Sequence, residues 1–381
     1  MPDLHPTLTE AELAAIADRS HSVVAAHQHP SGAYPASPTF SAYRGYAWFR
    51  DGAFVAEGMS RYGDSASADA FHDWATGVLE ARAERIGWIA AERAVGRLPT
   101  TAQMLPTRFT LDGADGSDPW WDFQTDGYGT WLWAVVTHAE RYGLPPQRWA
   151  SGIRLAAQYL AAVGDLACYD WWEEHVEHVH TSTLAAVRAG LLAALRPGAL
   201  PATSVDAVQS MADRVGNLAL RHGITRGRAT DPGAEHLAKW AGATAVDASL
   251  AACAVPFGLV EPGSPVAAAT LDAIARDLDV DGGVHRFAAD VFYGGGQWPL
   301  LSCLLGWNLL AAGDRAGAER HLAWALATAA PGGELPEQVD DHLLHPAHRA
   351  EWLERWGPVA TPLLWSHGMV LVLVAALEES R

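Results

Sequence analysis

Residues 298–329 read WPLLSCLLGWNLLAAGDRAGAERHLAWALATA. Two runs with apolar residues at helical spacing flank a single break at Gly313-Asp314. Glycine there supplies the left-handed turn that ends one helix, and aspartate supplies the side-chain acceptor that starts the next. The stretch predicts two helices folded back on each other with almost no connection.

Outward from this hairpin the same grammar repeats. Thr9, with Glu12 three residues on, forms a capping box and opens a helix running to about 28. Periodicity and punctuation predict further helices at 51–62, 65–84, 127–143, 146–163, 181–195, 205–222, 247–258, 265–277, 298–313, 315–329 and 363–380. Alternating β-branched runs are rare, so little sheet is expected. The connections alternate in length. Those at Gly63-Asp64, Leu144-Pro145, 196–204, 259–264 and Asp314 are short, whereas 29–50, 85–126, 164–180, 223–246, 278–297 and 330–362 are long. Six hairpins joined this way close naturally into a ring. The expected fold is therefore all-α, an (α/α)6 barrel with its long loops at one end. Loops of that length in a compact domain are usually functional. No low-complexity linker interrupts the chain, so residues 1–381 are read as one catalytic domain.

Composition narrows the partners. With 26 Lys+Arg against 44 Asp+Glu the formal charge is −18, which repels nucleic acid and anionic membranes. Cys168, Cys253 and Cys303 are isolated, with no CxxC spacing, which excludes a disulfide framework or a cysteine zinc site. No apolar run approaches the length of a membrane span, and no basic-then-apolar leader opens the chain. A cytoplasmic protein acting on a small neutral substrate without a cofactor is expected. Seventeen tryptophans stand out, because indoles stack on the apolar faces of sugars.

The polar and aromatic residues gather in the long loops. Tyr43, Tyr46, Trp48, Arg50 and Asp51 fall in or beside the first, and Trp120 and Trp121 in the second. The third carries Trp171, Trp172, Glu173 and Glu174; the fifth carries Arg286 and Trp298; the sixth carries Glu337. Glycosidic cleavage needs one carboxyl that holds a proton and a second that is ionised. Two flanking tryptophans would desolvate Glu173 and raise its pKa, which suits an acid. Glu337 lies on a separate loop and would face Glu173 across a pocket. His175, His178 and His180 lack the His-Glu-x-x-His helix of a zinc site, so no metal is expected. Gly294-Gly295-Gly296 lacks the lysine and the preceding strand of a phosphate cradle.

Taken in order, these segments resemble the glucoamylase family, glycoside hydrolase family 15. Tyr46, Trp48, Arg50 and Asp51 match its early Tyr…Trp-x-Arg-Asp segment, and Gln124, Asp126, Tyr128 and Gly129 its Gln-x-Asp-x-Tyr-Gly segment. Tyr169 to Glu174 resembles its Trp-Glu acid motif, and Val246 to Leu250 its Leu-Asp-Ala-Ser-Leu segment. Tyr293 to Trp298 is similar to its Gly-rich Trp-Pro segment, and Leu335 to Gln338 with Trp365 to His367 to its base segment and final helix. The resemblance implies an inverting, exo-acting α-glucosidase, with Glu173 as acid and Glu337 as base. It implies that Arg50 and Asp51 bind hydroxyls of the terminal glucose, and that Trp48, Trp120 or Trp121, Trp172, Glu174, Arg286 and Trp298 complete the pocket. The resemblance also implies that either Tyr43 or Tyr46 stands for the family's tyrosine near the attacking water, and the spacing leaves the choice open. The family's starch-binding module is missing, and His175 and Glu177 stand where it often has an arginine. Short α-1,6-linked glucosides such as isomaltose are the expected substrates, ahead of maltose-type saccharides and trehalose. An inverting glycoside phosphorylase and a non-catalytic sugar-binding or histidine-dependent, epimerase-like (α/α)6 protein are the rival classes.

Overall fold

The computed structural model describes residues 8–120, 122–145, 147–196, 198–226 and 235–381. Its helices are α1 (Glu10–His27), α2 (Phe49–Tyr62), α3 (Ser65–Glu80), α4 (Ala83–Ala94), α5 (Asp126–Arg141), α6 (Ala150–Val163) and α7 (Thr181–Leu195). They continue as α8 (Ala202–His222), α9 (Pro265–Leu278), α10 (Pro299–Ala311), α11 (Arg315–Ala327), α12 (Arg349–Trp356) and α13 (Leu364–Glu379). A 3-10 segment, Ala248–Cys253, stands between α8 and α9.

Six inner elements close a ring. Helix α2 packs on α5, α5 on α7, α7 on the 3-10 segment, that segment on α10, α10 on α13, and α13 back on α2. Each inner element carries an outer partner: α1 on α13, α3 on α2, α6 on α5, α8 on α7, α9 on the 3-10 segment and α11 on α10. This is the expected (α/α)6 barrel. Sequence sorts the two layers. Inner helices are buried over most of their length, and α10 is nearly apolar all round from Pro299 to Asn308. Outer α8 buries only the stripe Val208, Ala212, Val215, Gly216 and Ala219.

The inner ring is tight because glycines sit where its helices meet. A Cβ on Gly190 of α7 would lie 2.7 Å from the Cα of Gly129 in α5. One on Gly58 of α2 would lie 2.6 Å from the carbonyl oxygen of Gly368 in α13. Any larger side chain at these points forces the helices apart, and interiors packed to crystal density transmit that strain.

Three expectations need correcting. The helix expected over 247–258 is only the short 3-10 segment, because Pro256 removes a backbone donor and disfavours helix at Val255. The 85–126 connection is not structureless, since α4 occupies its start. The 330–362 connection likewise contains α12. Sheet is limited to three two-stranded ribbons among the described residues. One of them pairs Tyr46–Trp48 with Arg108–Thr110 and so ties the first long loop to the second. The capping box at Thr9 and Glu12 forms as expected. Among the described residues no helix is long and apolar enough to cross a membrane.

Candidate active site

One end of the ring opens into a cavity of about 430 Å3, within the size range of small-molecule pockets. Five of the six long loops, with the first turns of α2 and α13, line it. Tryptophans dominate the wall: Trp48, Trp120, Trp171, Trp172, Trp298, Trp352, Trp356 and Trp365. The polar lining is Tyr43, Arg50, Asp51, Tyr169, Glu173, Glu174, His175, Arg286 and Glu337.

Glu173 reaches the cavity from a tight turn. Its backbone N–H donates to the Asp170 carbonyl at 3.0 Å, and its own φ is 63°. The Asp170 carboxylate accepts the N–H groups of Trp172 and Glu174, both at 2.9 Å. A bulky residue in the left-handed region persists only where its surroundings over-determine it. The Glu173 carboxyl accepts a hydrogen bond from Trp48 Nε1 at 2.6 Å. Burial pushes its pKa up to about 7, against the pull of Arg50 and of the Trp48 donor. A carboxyl so placed holds a proton near neutral pH, as a general acid must.

Glu337 is 2% exposed and lines the same cavity. Its Oε1 accepts from Tyr43 Oη at 3.0 Å. Its Oε2 is buried and has no hydrogen-bond partner among the described residues. Burial pushes the Glu337 pKa up to about 8, opposed by the Tyr43 hydrogen bond and by Arg286. Its loop is pinned from α13. The Ser366 hydroxyl donates to the Pro336 carbonyl at 2.9 Å, and His367 Nε2 accepts from the Leu335 N–H at 3.0 Å. Burial pushes His367 down to about 3, so its imidazole is neutral and free to accept.

Arg50 and Asp51 begin α2, where burial holds them among other charges. Arg50 donates to Gln124 at 3.1 Å and to Asp126 at 3.2 Å, and its Nε lies 3.3 Å from Asp51 Oδ2. Across the cavity Arg286 is buried against Asp290 and donates to Glu174 at 3.1 Å. Its guanidinium lies 5.4 Å from the Trp172 ring and 5.3 Å from the Trp298 ring. Charged forks with apolar indole faces between them suit a sugar, which offers hydroxyls at its edge and C–H bonds on its faces.

Most residues expected from the sequence meet here: Tyr43, Trp48, Arg50, Asp51, Trp120, Trp172, Glu173, Glu174, Arg286, Trp298 and Glu337 all line the cavity. Trp121 lies outside the described residues. Tyr46 is corrected, because it is outside the cavity and donates to Asp118 while Arg108 covers its ring at 3.7 Å. The same guanidinium lies 3.8 Å from the Trp120 ring, so Arg108 contacts both rings. Position along the chain distinguishes the two tyrosines. Tyr46 and Trp48 share one face of a ribbon, and Tyr43 precedes it on the turn that approaches Glu337.

Trp352 and Trp356, on the unexpected α12, were missed as lining residues. Lys239 and Asp170 were missed as supports. Lys239 Nζ lies 2.8 Å from Asp170 and 2.7 Å from Asp247, which in turn accepts from Trp172 Nε1 at 2.9 Å. Composition carried a signal for this, because Lys239 is the one lysine among 26 basic side chains. The histidines of the epimerase alternative stand elsewhere. His178 stacks on Trp240, His180 bonds the His175 carbonyl, and His367 serves the Leu335 backbone. Among the described residues no three His, Cys, Asp or Glu side chains group to hold a metal ion.

A ring of helical hairpins with two buried carboxyls in one tryptophan-lined cavity is the layout of a glycoside hydrolase. The sequence model for glycosyl hydrolases family 15 matches residues 10–352, and the chain belongs to that family. Isomaltose glucohydrolase of Kribbella flavida is 60% identical over 368 residues, which span 96% of this chain and 94% of that protein. A solved glycosidase variant in complex with glucose superposes with a TM-score of 0.92 at 59% identity, covering 97% of this chain and 99% of that one. Glucoamylase of Hormoconis resinae shares the fold at a TM-score of 0.72 and 16% identity, covering 97% of this chain and 73% of that one.

Proposed function

We propose that the protein is an inverting exo-acting α-glucosidase that hydrolyses isomaltose and short isomalto-oligosaccharides from the non-reducing end. The carrying observation is that Glu173 and Glu337 line one cavity and are held by different donors, Trp48 and Tyr43. In this reading the terminal glucose sits with its hydroxyls on Arg50 and Asp51, and the indoles cover its faces. Glu173 gives its proton to the glycosidic oxygen. The active form keeps the proton on Glu173 and leaves Glu337 ionised. Because burial raises Glu337 further than Glu173, this is the smaller part of the singly protonated pair. In it Glu337 takes a proton through Oε2 from the water that attacks the opposite face of C1. Tyr43 donates to Oε1, which favours the charged form of the base and leaves the other oxygen for the water. Inversion requires the carboxyls to stand roughly 6.5–9.5 Å apart, with room for that water.

The α-1,6 linkage rests on the name of the Kribbella relative. A phosphorylase would need a free cationic pocket for phosphate. Here Arg50 and Arg286 are each already paired with carboxylates, which disfavours that class. Three free buried cysteines suit a reducing, cytoplasmic setting. Proton NMR of fresh digests of isomaltose, maltose and trehalose tests the reading. Isomaltose should be cleaved fastest, with β-glucose appearing first. First release of α-glucose, dependence on added phosphate or a preference for maltose would overturn it.

A further inference from the structure

The chain answers every need for a positive side chain with arginine except at one buried point in the fourth long loop. Lys239, the single lysine, is 4% exposed. Its ammonium bridges two carboxylates from different parts of the barrel, Asp170 at 2.8 Å and Asp247 at 2.7 Å, and lies 3.6 Å from the Phe287 ring. Its backbone carbonyl accepts from Thr181 N at 3.0 Å, at the first turn of α7. No described residue of its loop lines the cavity.

Both carboxylates lead into the site. Asp170 carries the two backbone hydrogen bonds that shape the Trp172–Glu174 turn and hold Glu173 at its positive φ. Asp247 holds the Trp172 indole against the cavity and caps the 3-10 segment at Ser249 N, at 2.9 Å. Without a shared cation these two buried aspartates would be unpaired charges beside each other, which costs several kcal/mol unless they move or take up protons. A lysine ammonium is a compact point charge with three donors and can serve two carboxylates from one nitrogen. An arginine fork is shaped to grip one carboxylate with two nitrogens.

We infer that Lys239 is a positioning residue for the general acid: through Asp170 and Asp247 it fixes the turn that aims Glu173 at the glycosidic oxygen. The inference rests on the reading of Glu173 as the acid. It assigns a role to the fourth loop, whose described residues do not line the cavity.

The test compares two substrates. Isomaltose needs its leaving group protonated, whereas α-glucosyl fluoride expels fluoride without help from Glu173. The control Glu173→Gln should lose about 10²–10⁴-fold in kcat on isomaltose and far less on the fluoride. If that control loses both alike, the reading of Glu173 fails, whatever Lys239 does. With the control behaving as an acid variant, Lys239→Met should lose at least about 30-fold in kcat on isomaltose, with KM within about threefold, and less than about fivefold on the fluoride. Adding it to Glu173→Gln should cost little more on isomaltose. Equal losses on both substrates mean a merely structural role and overturn the inference, as does isomaltose turnover within about threefold of the parent enzyme. If Lys239→Met does not fold, Lys239→Arg keeps the charge and loses the bridging geometry. It is expected to show the same selective loss, and parent-like turnover on isomaltose would sink the proposal.

Discussion

The rings of Tyr43 and Trp48 meet edge to face at 5.4 Å, and each gives its polar hydrogen to a different carboxyl. Tyr43 serves Glu337 and Trp48 serves Glu173. One aromatic pair from one loop therefore spaces the proposed acid and base. Replacing either carboxyl by its amide keeps the shape and removes the proton chemistry. Glu173→Gln and Glu337→Gln should each lower kcat on isomaltose by about 10²–10⁴-fold while KM moves little. Steady-state kinetics checks this, and near-normal turnover in Glu337→Gln would remove it from the mechanism.

The two donors should also be visible in the pH profile. Both carboxyls are pushed up by burial, to about 7 for Glu173 and about 8 for Glu337, and both donors oppose that shift. Two acids in one cavity titrate as a pair, so the limbs of the kcat/KM bell belong to the pair. The effect of removing a donor is nevertheless directional. Trp48→Phe deletes a hydrogen bond to ionised Glu173, so Glu173 keeps its proton longer and the profile of the pair moves to higher pH. Tyr43→Phe does the same at Glu337, so the base ionises later and the profile again moves to higher pH. A shift of about one pH unit is expected in each case. Movement of either limb to lower pH contradicts the assignment.

Tyr46 provides the contrast. It lies outside the cavity, on Asp118 and under Arg108. Tyr46→Phe should leave kcat and KM within about twofold, as is usual for a surface substitution. A loss comparable with that of Tyr43→Phe would show that the wrong tyrosine has been placed by the water.

Much of this was legible in the chain. The alternation of short and long connections predicts ring closure, because Gly313-Asp314 and its counterparts leave each hairpin nowhere to go but back. Glu173 and Glu337 could be read as the carboxyl pair because each sits on a long loop beside aromatic residues or a proline. Other features depend on tertiary contacts. The Tyr43–Glu337 bond spans 294 positions, and no local pattern separates Tyr43 from Tyr46. Helix α12 buries none of its residues fully, so it lacks the apolar stripe that periodicity detects, yet it brings Trp352 and Trp356 to the cavity. Pro256 was a local signal against a helix through 258, and the strong apolar run around it concealed it.

The glycine contacts of the inner ring predict a stability effect separate from chemistry. Gly190→Val adds bulk where a Cβ alone would come 2.7 Å from the Gly129 Cα. Backbone cannot yield there as the tip of a flexible side chain can. The variant should lose at least about 3 kcal/mol or fail to fold, at the upper end for overpacked cores. Thermal unfolding followed by circular dichroism checks it. A melting temperature within a degree or two of the parent would mean that α5 and α7 do not pack as described.

The last prediction couples catalysis to stability. In the unfolded chain Glu337 has an ordinary carboxyl pKa near 4.5, and in the fold burial raises it to about 8. Between those values the folded protein holds a proton that the unfolded chain has released. Stability must therefore fall as pH rises through this window, and the loss is complete above about 8. Glu173 contributes in the same sense up to about 7. Glu337→Gln puts a neutral group of the same shape in the same place and removes that loss. At pH 8 the variant should melt several degrees above the parent; at pH 4.5, where the parent's carboxyl is protonated in the fold, the gap should close. Melting curves of the two proteins across this range decide it. A variant less stable than the parent at pH 8 would show that the ionised Glu337 is well stabilised by Tyr43 and Arg286, and that the base costs the fold nothing.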